Sequence, residues 1–380
     1  MNTEIIRLTA SDYDELIALL NSVFSRAHKR EEDFEYMFPK MCIRDDEHMG
    51  KHIGIKEDGK LVAVAGIYLL PAKIAGKELM FSTVGNIATA PEAEGKGYMS
   101  LLVKKAMEEI KKMGADASRL SGSRQRYNRF GYEAAGVTYN YLLYPYNIRY
   151  FAPDFESDIS FVPVSENDTE MLSEMMKIYN KGSFIVERKN VDDFYLTLKA
   201  WGCIPFVAIR KNGEVSGYVS VYPDKKSFTE VVANNPLEVK EVIMQWCKTT
   251  DLPIHFKLMP HMKEEIKLMS EFCDEVSLSS PSRFKIISWS KVVDAFLKLK
   301  STYENIEDAD FVVEIEGYGN IRIKCENNAC ECTDTTDTGT VKLTELDAVR
   351  YFFDPMDTRF KEERKNIMPL PMSWNSLDRV

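Results

Sequence analysis

The sequence predicts a mixed protein of α/β (α+β) class, built in three parts. Three observations carry that expectation. Residues 5–144 alternate strand-like runs with two amphipathic helical patterns. The same order returns over residues 160–258, and each copy holds a turn pair between strands, Asp58-Gly59 and then Asn212-Gly213. The last hundred residues change character, to one helix, four short strands and a second helix. A length of 380 residues suits two or three domains better than one.

In the first part, Ile5–Leu8 reads as a strand. Asp12–Phe24 reads as a helix, with Leu16, Leu19, Leu20 and Val23 on one face. Strands follow at Ile53–Lys56, Lys60–Tyr68 and Leu79–Thr89. A glycine-bearing turn, Glu92–Gly97, then opens a long helix whose stripe is Met99, Leu102, Val103, Ala106, Met107 and Ile110. Gly114 supplies its C-terminal cap. Arg119–Ser121 and Val137–Tyr144 read as later strands.

Proline and acidic residues cluster at Pro153–Asp158, which places a boundary between residues 1–153 and 154–279. The second part reads as strand Ser160–Pro163, helix Thr169–Asn180, hairpin Pro205–Lys211 with Val215–Tyr222, helix Asn235–Thr249 and strand Ile254–Leu258. It has no glycine-rich turn before its last helix. A second boundary falls near Ser277–Ser282, leaving residues 280–380 as the third part. Its helices are Trp289–Leu299 and Thr344–Phe353. Its strands are Phe311–Ile315, Asn320–Cys325, Ala329–Cys332 and Thr340–Leu343, read as a small antiparallel sheet.

Composition excludes some functions. A formal net charge of -10 argues against a broad nucleic-acid surface. No apolar run is long enough to span a bilayer, and Met1–Leu8 lacks a signal-peptide core, so a soluble cytoplasmic protein is expected. The seven cysteines lack paired C-x-x-C knuckles. Cys325, Cys330 and Cys332 read as a strand face, and no metal is expected. The five histidines, His28, His48, His52, His255 and His261, show no metal or triad spacing.

The stretch from Val84 to Gly136 carries the chemistry. It reads VGNIATAPEAEGKGYMSLLVKKAMEEIKKMG and continues to RQRYNRFGYEAAG. The first N–H groups of a helix have no intrahelical partner, so a turn entering a helix N-terminus is a ready site for a pyrophosphate. Gly95 and Gly97 let the backbone approach closely, and Lys96 adds a positive charge. This order of elements resembles the acyl-CoA site of the GNAT N-acetyltransferases. The family's usual turn is R/Q-x-x-G-x-G/A; here Glu94, Gly97 and Met99 stand at those positions, and two of the three depart.

The resemblance implies an N-acetyltransferase with acetyl-CoA as co-substrate. Backbone groups of Val84, Asn86, Ile87 and Ala88 would hold the pantetheine arm. The turn residues Glu94, Gly95, Lys96, Gly97 and Tyr98 would hold the phosphates. In R-Y-N-R-F-G-Y, Tyr127 matches the family tyrosine near the coenzyme sulfur, and the alternative is that it packs the core. A phenol with a pKa of about 10 can protonate a departing thiolate. One of Arg124, Arg126 and Arg129 could reach the phosphates.

The three-part layout resembles the Eis (enhanced intracellular survival) type: tandem GNAT-like domains followed by a sterol-carrier-protein-like α+β domain. That resemblance implies a homo-oligomer, and an acceptor that is a primary amine of a small polycationic, aminoglycoside- or polyamine-like molecule. It also implies a chain-terminal carboxylate, here Val380, as general base. Phe24, Phe34, Met37 and Phe38, with Glu31, Glu32 and Asp33, lie where the family lines its acceptor pocket. An amphipathic helix with an acidic face explains the same residues. A reading of another class also stands: a non-catalytic scaffold whose last domain binds a lipid or protein. Glu94, an anion in an anion-binding turn, favours it.

Overall fold

The computed structural model describes residues 2–360 and 367–378. Its first elements are β1 (Thr3–Arg7), α1 (Tyr13–His28), β2 (His52–Glu57), β3 (Lys60–Ile74), β4 (Lys77–Thr89), α2 (Tyr98–Lys112), β5 (Ala117–Leu120) and β6 (Glu133–Ala134). Strands β1 to β4 form an antiparallel meander, and β5 joins β4 in parallel through the α2 crossover. The expected apolar stripe of α2 is its buried face. Leu102, Val103, Ala106 and Ile110 are wholly buried, while Met99 and Met107 pack at the margin. Burying such side chains contributes about 1.5–3 kcal/mol each, which holds the helix to the sheet.

The hairpin between β2 and β3 turns on Asp58 (φ 47°) and Gly59 (φ 86°), both left-handed as a type I′ turn requires. The next hairpin uses Ala75 (φ 46°) and Gly76 (φ 84°) in the same way. β3 runs six residues beyond its expected end at Tyr68, through Pro71. The Pro71 carbonyl accepts from the Glu187 N–H, so its ring nitrogen faces away from β4 and costs no bond in that ladder. α1 runs past Phe24 to His28 and closes on Lys29 in the left-handed conformation.

Strand pairing does not follow the expected boundaries at 153/154 and 279/280. Arg283–Ile286 lies between β5 and β6 and is antiparallel to both. Phe184–Val186 pairs with the far end of β3. Thr138–Leu143, expected in the first part, lies between Ile254–Leu258 and Glu275–Ser279 in a separate three-stranded sheet. Proline and serine clusters mark chain breaks in composition; the sheet edges recruit strands across them. The second part also has an antiparallel sheet in the order Phe228–Ala233, Val215–Val221, Ile204–Ile209, Ser160–Pro163.

The third part packs helices Trp289–Ser301 and Glu345–Phe353 against a four-stranded sheet. That sheet is not wholly antiparallel, because Val341–Leu343 joins Ala309–Ile315 in parallel. Its core is continuous with the first sheet: Leu79 and Phe81 of β4 belong to the same cluster as Trp289, Phe296 and Phe352. Cys325 and Cys330 face each other across a hairpin and form a disulfide, and Cys332 is a buried free thiol. Among the described residues no group of His, Cys, Asp or Glu is arranged to hold a metal. No helix there is long and apolar enough to cross a membrane.

Candidate active site

The site begins where β4 and β5 part. They pair only at Phe81/Ala117, Ser82/Ser118 and Thr83/Arg119. Among the described residues, β4 beyond Thr83 continues to Thr89 beside β3 alone. Its other edge then presents unpaired backbone groups, the template that an extended ligand arm needs. Val84, Asn86, Ile87 and Ala88 all lie on this open stretch. The Thr83 and Thr89 hydroxyls, one at each end of it, are buried without a hydrogen-bond partner among the described residues. A buried hydroxyl left unpaired is costly, so both are suited to a bound acceptor or donor. Asn86 sits in a bulge, with a shift in the β3/β4 register and a left-handed φ of 52°.

After β4 the chain makes one 3-10 turn, Pro91–Ala93, and enters α2. Gly95 and Gly97 have φ of 81° and 82°, and a Cβ on either would meet nothing within 4 Å. The backbone is therefore open to a ligand at these positions, and left-handed geometry selects glycine there. The first intrahelical bond is from Leu101 N to Gly97 O, so the amides of Tyr98, Met99 and Ser100 are available to an anion. These features fit an acyl-CoA: an open strand edge for its arm and a glycine-lined helix N-terminus for its pyrophosphate. We expect Gly97→Ala to weaken acetyl-CoA binding at least tenfold in a calorimetric titration; unchanged affinity would remove the turn from the site.

The charges around this cradle differ from the expected picture. Glu94 is not a bare anion, because Arg26 of α1 donates to it at 3.1 Å on the surface. Lys96 is not a bare cation: its ammonium gives 2.8 Å bonds to both Glu57 oxygens, and the Tyr98 hydroxyl bonds the same carboxylate. The positive group beside the helix start is Arg129, whose guanidinium donates to Ser100 Oγ at 2.8 Å. Arg124 is bound elsewhere, in a two-bond pair with Glu133 at 2.6 Å each. The sequence does not separate the three arginines, because only their three-dimensional placement does.

Tyr127 ends a short helix, Arg124–Tyr127, and is 5% exposed. Its ring lies over Gly122, just past β5, where a Cβ would come within 2.4 Å of it. It shares a core with Val84, Ala88, Tyr98 and Met99. Burial pushes its phenol above the ordinary value, so it stays protonated at neutral pH.

The expected acceptor residues are mostly packing. Phe34 and Phe38 are buried, in a chain of rings from Phe24 to Trp201 spaced 4.6–5.4 Å. Glu32 is buried and takes bonds from His28 and Arg30, while Asp33 caps the helix Phe34–Met37. Open space lies elsewhere. A cavity of about 350 Å³ is lined by Arg119, Phe184, Glu230, Lys257, Trp374 and Asp378, among others. Arg119 stands on β5 opposite Thr83, so this cavity reaches the sheet where β4 and β5 part. Val380 lies outside the described residues. The segment before it is anchored: Leu377 is buried in the core of the second part, and Asp378 accepts from the Arg188 guanidinium at 3.1 Å.

Comparison with known proteins agrees with this geometry. Residues 4–135 match the family model described as an acetyltransferase (GNAT) domain. The chain is similar in fold to Eis1 from Mycobacterium abscessus, with 15% identity and a TM-score of 0.66, covering 98% of each chain. It is likewise similar to a GCN5-related N-acetyltransferase from Anabaena variabilis, with 12% identity, a TM-score of 0.68 and 98% of each chain covered. A third such structure, from Kribbella flavida, has 13% identity and a TM-score of 0.66, with 97% of this chain and 95% of that one covered. No curated protein matches the chain. Residues 4–135 thus match a GNAT acetyltransferase domain, and that match supports an N-acetyltransferase.

Proposed function

We propose that this protein moves an acetyl group from acetyl-CoA to a primary amine of a small polycationic molecule, aminoglycoside- or polyamine-like. The observation that carries the coenzyme half is the open edge of β4 leading straight into the Gly95–Gly97 cradle. The amine nitrogen attacks the thioester carbonyl carbon, the new C–N bond forms and the C–S bond breaks. Tyr127 gives its proton to the leaving thiolate sulfur, and the amine loses one to a base. The carboxylate of Val380 is our candidate for that base.

The acceptor half rests on the Eis-like layout, as do a homo-oligomeric state and a sterol-carrier-like third domain; a cytoplasmic location rests on the sequence, which has no apolar run long enough to span a bilayer. Glu94, the feature that favours a scaffold, lies in an exposed pair with Arg26 that offsets part of its charge. The test is a calorimetric titration with acetyl-CoA followed by an amine screen reading free thiol release. Saturable binding at micromolar to sub-millimolar coenzyme, and turnover with a polyamine or aminoglycoside, is the expected result. No heat at millimolar coenzyme would overturn the reading.

A further inference from the structure

Three strands contribute to one buried polar chain behind the coenzyme edge. His52 on β2 is wholly buried, Tyr68 on β3 is 4% exposed, and Asn86 occupies the bulge of β4. Tyr68 Oη lies 2.8 Å from His52 Nε2 and 2.6 Å from Asn86 Nδ2. His52 Nδ1 lies 3.3 Å from the Met49 carbonyl. Two glycines make room for this. A Cβ at Gly66 would fall 2.6 Å from the Tyr68 hydroxyl, and one at Gly85 would fall 3.6 Å from its ring. Gly66 and Gly85 are register partners, so the Tyr68 ring lies across the pair of strands where side chains would otherwise stand.

The direction of the chain follows from the donor inventory. Met41 Sδ, an acceptor only, also contacts Asn86 Nδ2, which identifies that atom as the amide nitrogen. The amide therefore donates to the Tyr68 oxygen. Tyr68 must then donate its own proton to His52 Nε2, and His52 carries its proton on Nδ1 toward Met49. Burial lowers the His52 pKa to about 4, so the ring is neutral and Nε2 is free to accept. Every member has one role, and reversing any bond leaves a buried group unpaired.

We propose that Tyr68 and His52 are positioning residues for the acetyl-CoA site: they hold the Asn86 side chain inward, and so fix the bulge that aims the open edge of β4. The inference rests on the reading of that edge as the coenzyme site. Asn86 is among the residues that tolerate a left-handed backbone, but nothing local forces it there. The hydrogen bond from its amide to Tyr68 supplies the constraint. Turning this one residue reorients the peptide groups on either side, which lie on the stretch between Thr83 and Thr89.

The test uses the full-length protein and two readouts. In the absence of coenzyme, Tyr68→Phe should speed amide hydrogen exchange at residues 84–88 at least tenfold, with α2 unchanged. With acetyl-CoA and a working amine, it should lower kcat at least tenfold while the KM for the amine stays within twofold. His52→Gln, which can still accept from Tyr68, should recover most of the rate; Tyr68→Phe combined with His52→Leu should be no worse than Tyr68→Phe alone. Should Tyr68→Phe fail to fold, Asn86→Gly cuts the same chain while keeping the left-handed conformation accessible, with the same expected outcome. Wild-type binding of acetyl-CoA with unaltered exchange and kcat in these variants would overturn the proposal. Failure of the wild type to bind acetyl-CoA at all would instead overturn the coenzyme reading, which the exchange measurement does not depend on.

Discussion

Arg188→Leu should cost about 3–5 kcal/mol of stability, the range expected when one partner of a buried ion pair is removed. Arg188 has no exposed side-chain surface, and its guanidinium bonds Glu230 at 2.8 and 2.6 Å and Asp378 at 3.1 Å. Its plane lies 3.9 Å from the Tyr179 ring centre. Glu230 also accepts from Tyr218 at 2.8 Å and from Asn375 at 2.6 Å. Without Arg188 two buried carboxylates face each other with no cation between them. The pH dependence follows. Burial raises the Asp378 carboxyl above its ordinary value in the folded protein, so its proton binding favours folding at low pH and that contribution fades as pH rises. In the variant a proton can neutralise one carboxyl. The deficit should be largest at neutral pH and above, and should shrink as pH falls toward the carboxylate range. Urea midpoints at pH 5 and pH 7.5 read this directly, and a variant with wild-type midpoints at both would show the cluster to be energetically idle.

Tyr127→Phe should lower kcat by about 10²–10⁴-fold, the range for loss of a positioned general acid. Affinity for acetyl-CoA should change by less than about threefold, because the phenol acts on the departing sulfur and the ring that packs over Gly122 remains. The raised phenol pKa gives a second signature. Wild-type kcat should hold through neutral pH and decline only at alkaline pH beyond the ordinary phenol range, as the acid is lost. The variant should lack that decline. A Tyr127→Phe enzyme with full kcat would return Tyr127 to a packing role.

What the sequence made legible was local. The α2 stripe, the Asp58-Gly59 and Asn212-Gly213 turns and the glycine-bearing entry to α2 follow from periodicity and backbone freedom within a few residues. Pairing across long separations was not legible. Arg283–Ile286 is four residues long, too short for a periodic signal, and its partners are 149–169 residues upstream. Thr138–Leu143 has the pattern of a strand, and nothing in that pattern says which sheet takes it. Charge partners were hidden for the same reason. Glu94 looks hostile to phosphate until α1 brings Arg26 beside it, and Lys96 looks available until β2 brings Glu57. His52, Tyr68 and Asn86 read as unrelated residues; strand register alone joins them.

The borrowed strand has a consequence for the living chain. While the protein is being made, the β5 edge and its row of backbone groups wait for Arg283–Ile286 to leave the ribosome. At ordinary synthesis rates that is about ten to thirty seconds of waiting with an open sheet edge. For that interval the catalytic unit is a nascent fragment with an adhesive side. A gene truncated after residue 135 would make the interval permanent, and its product should precipitate where the full chain stays in solution.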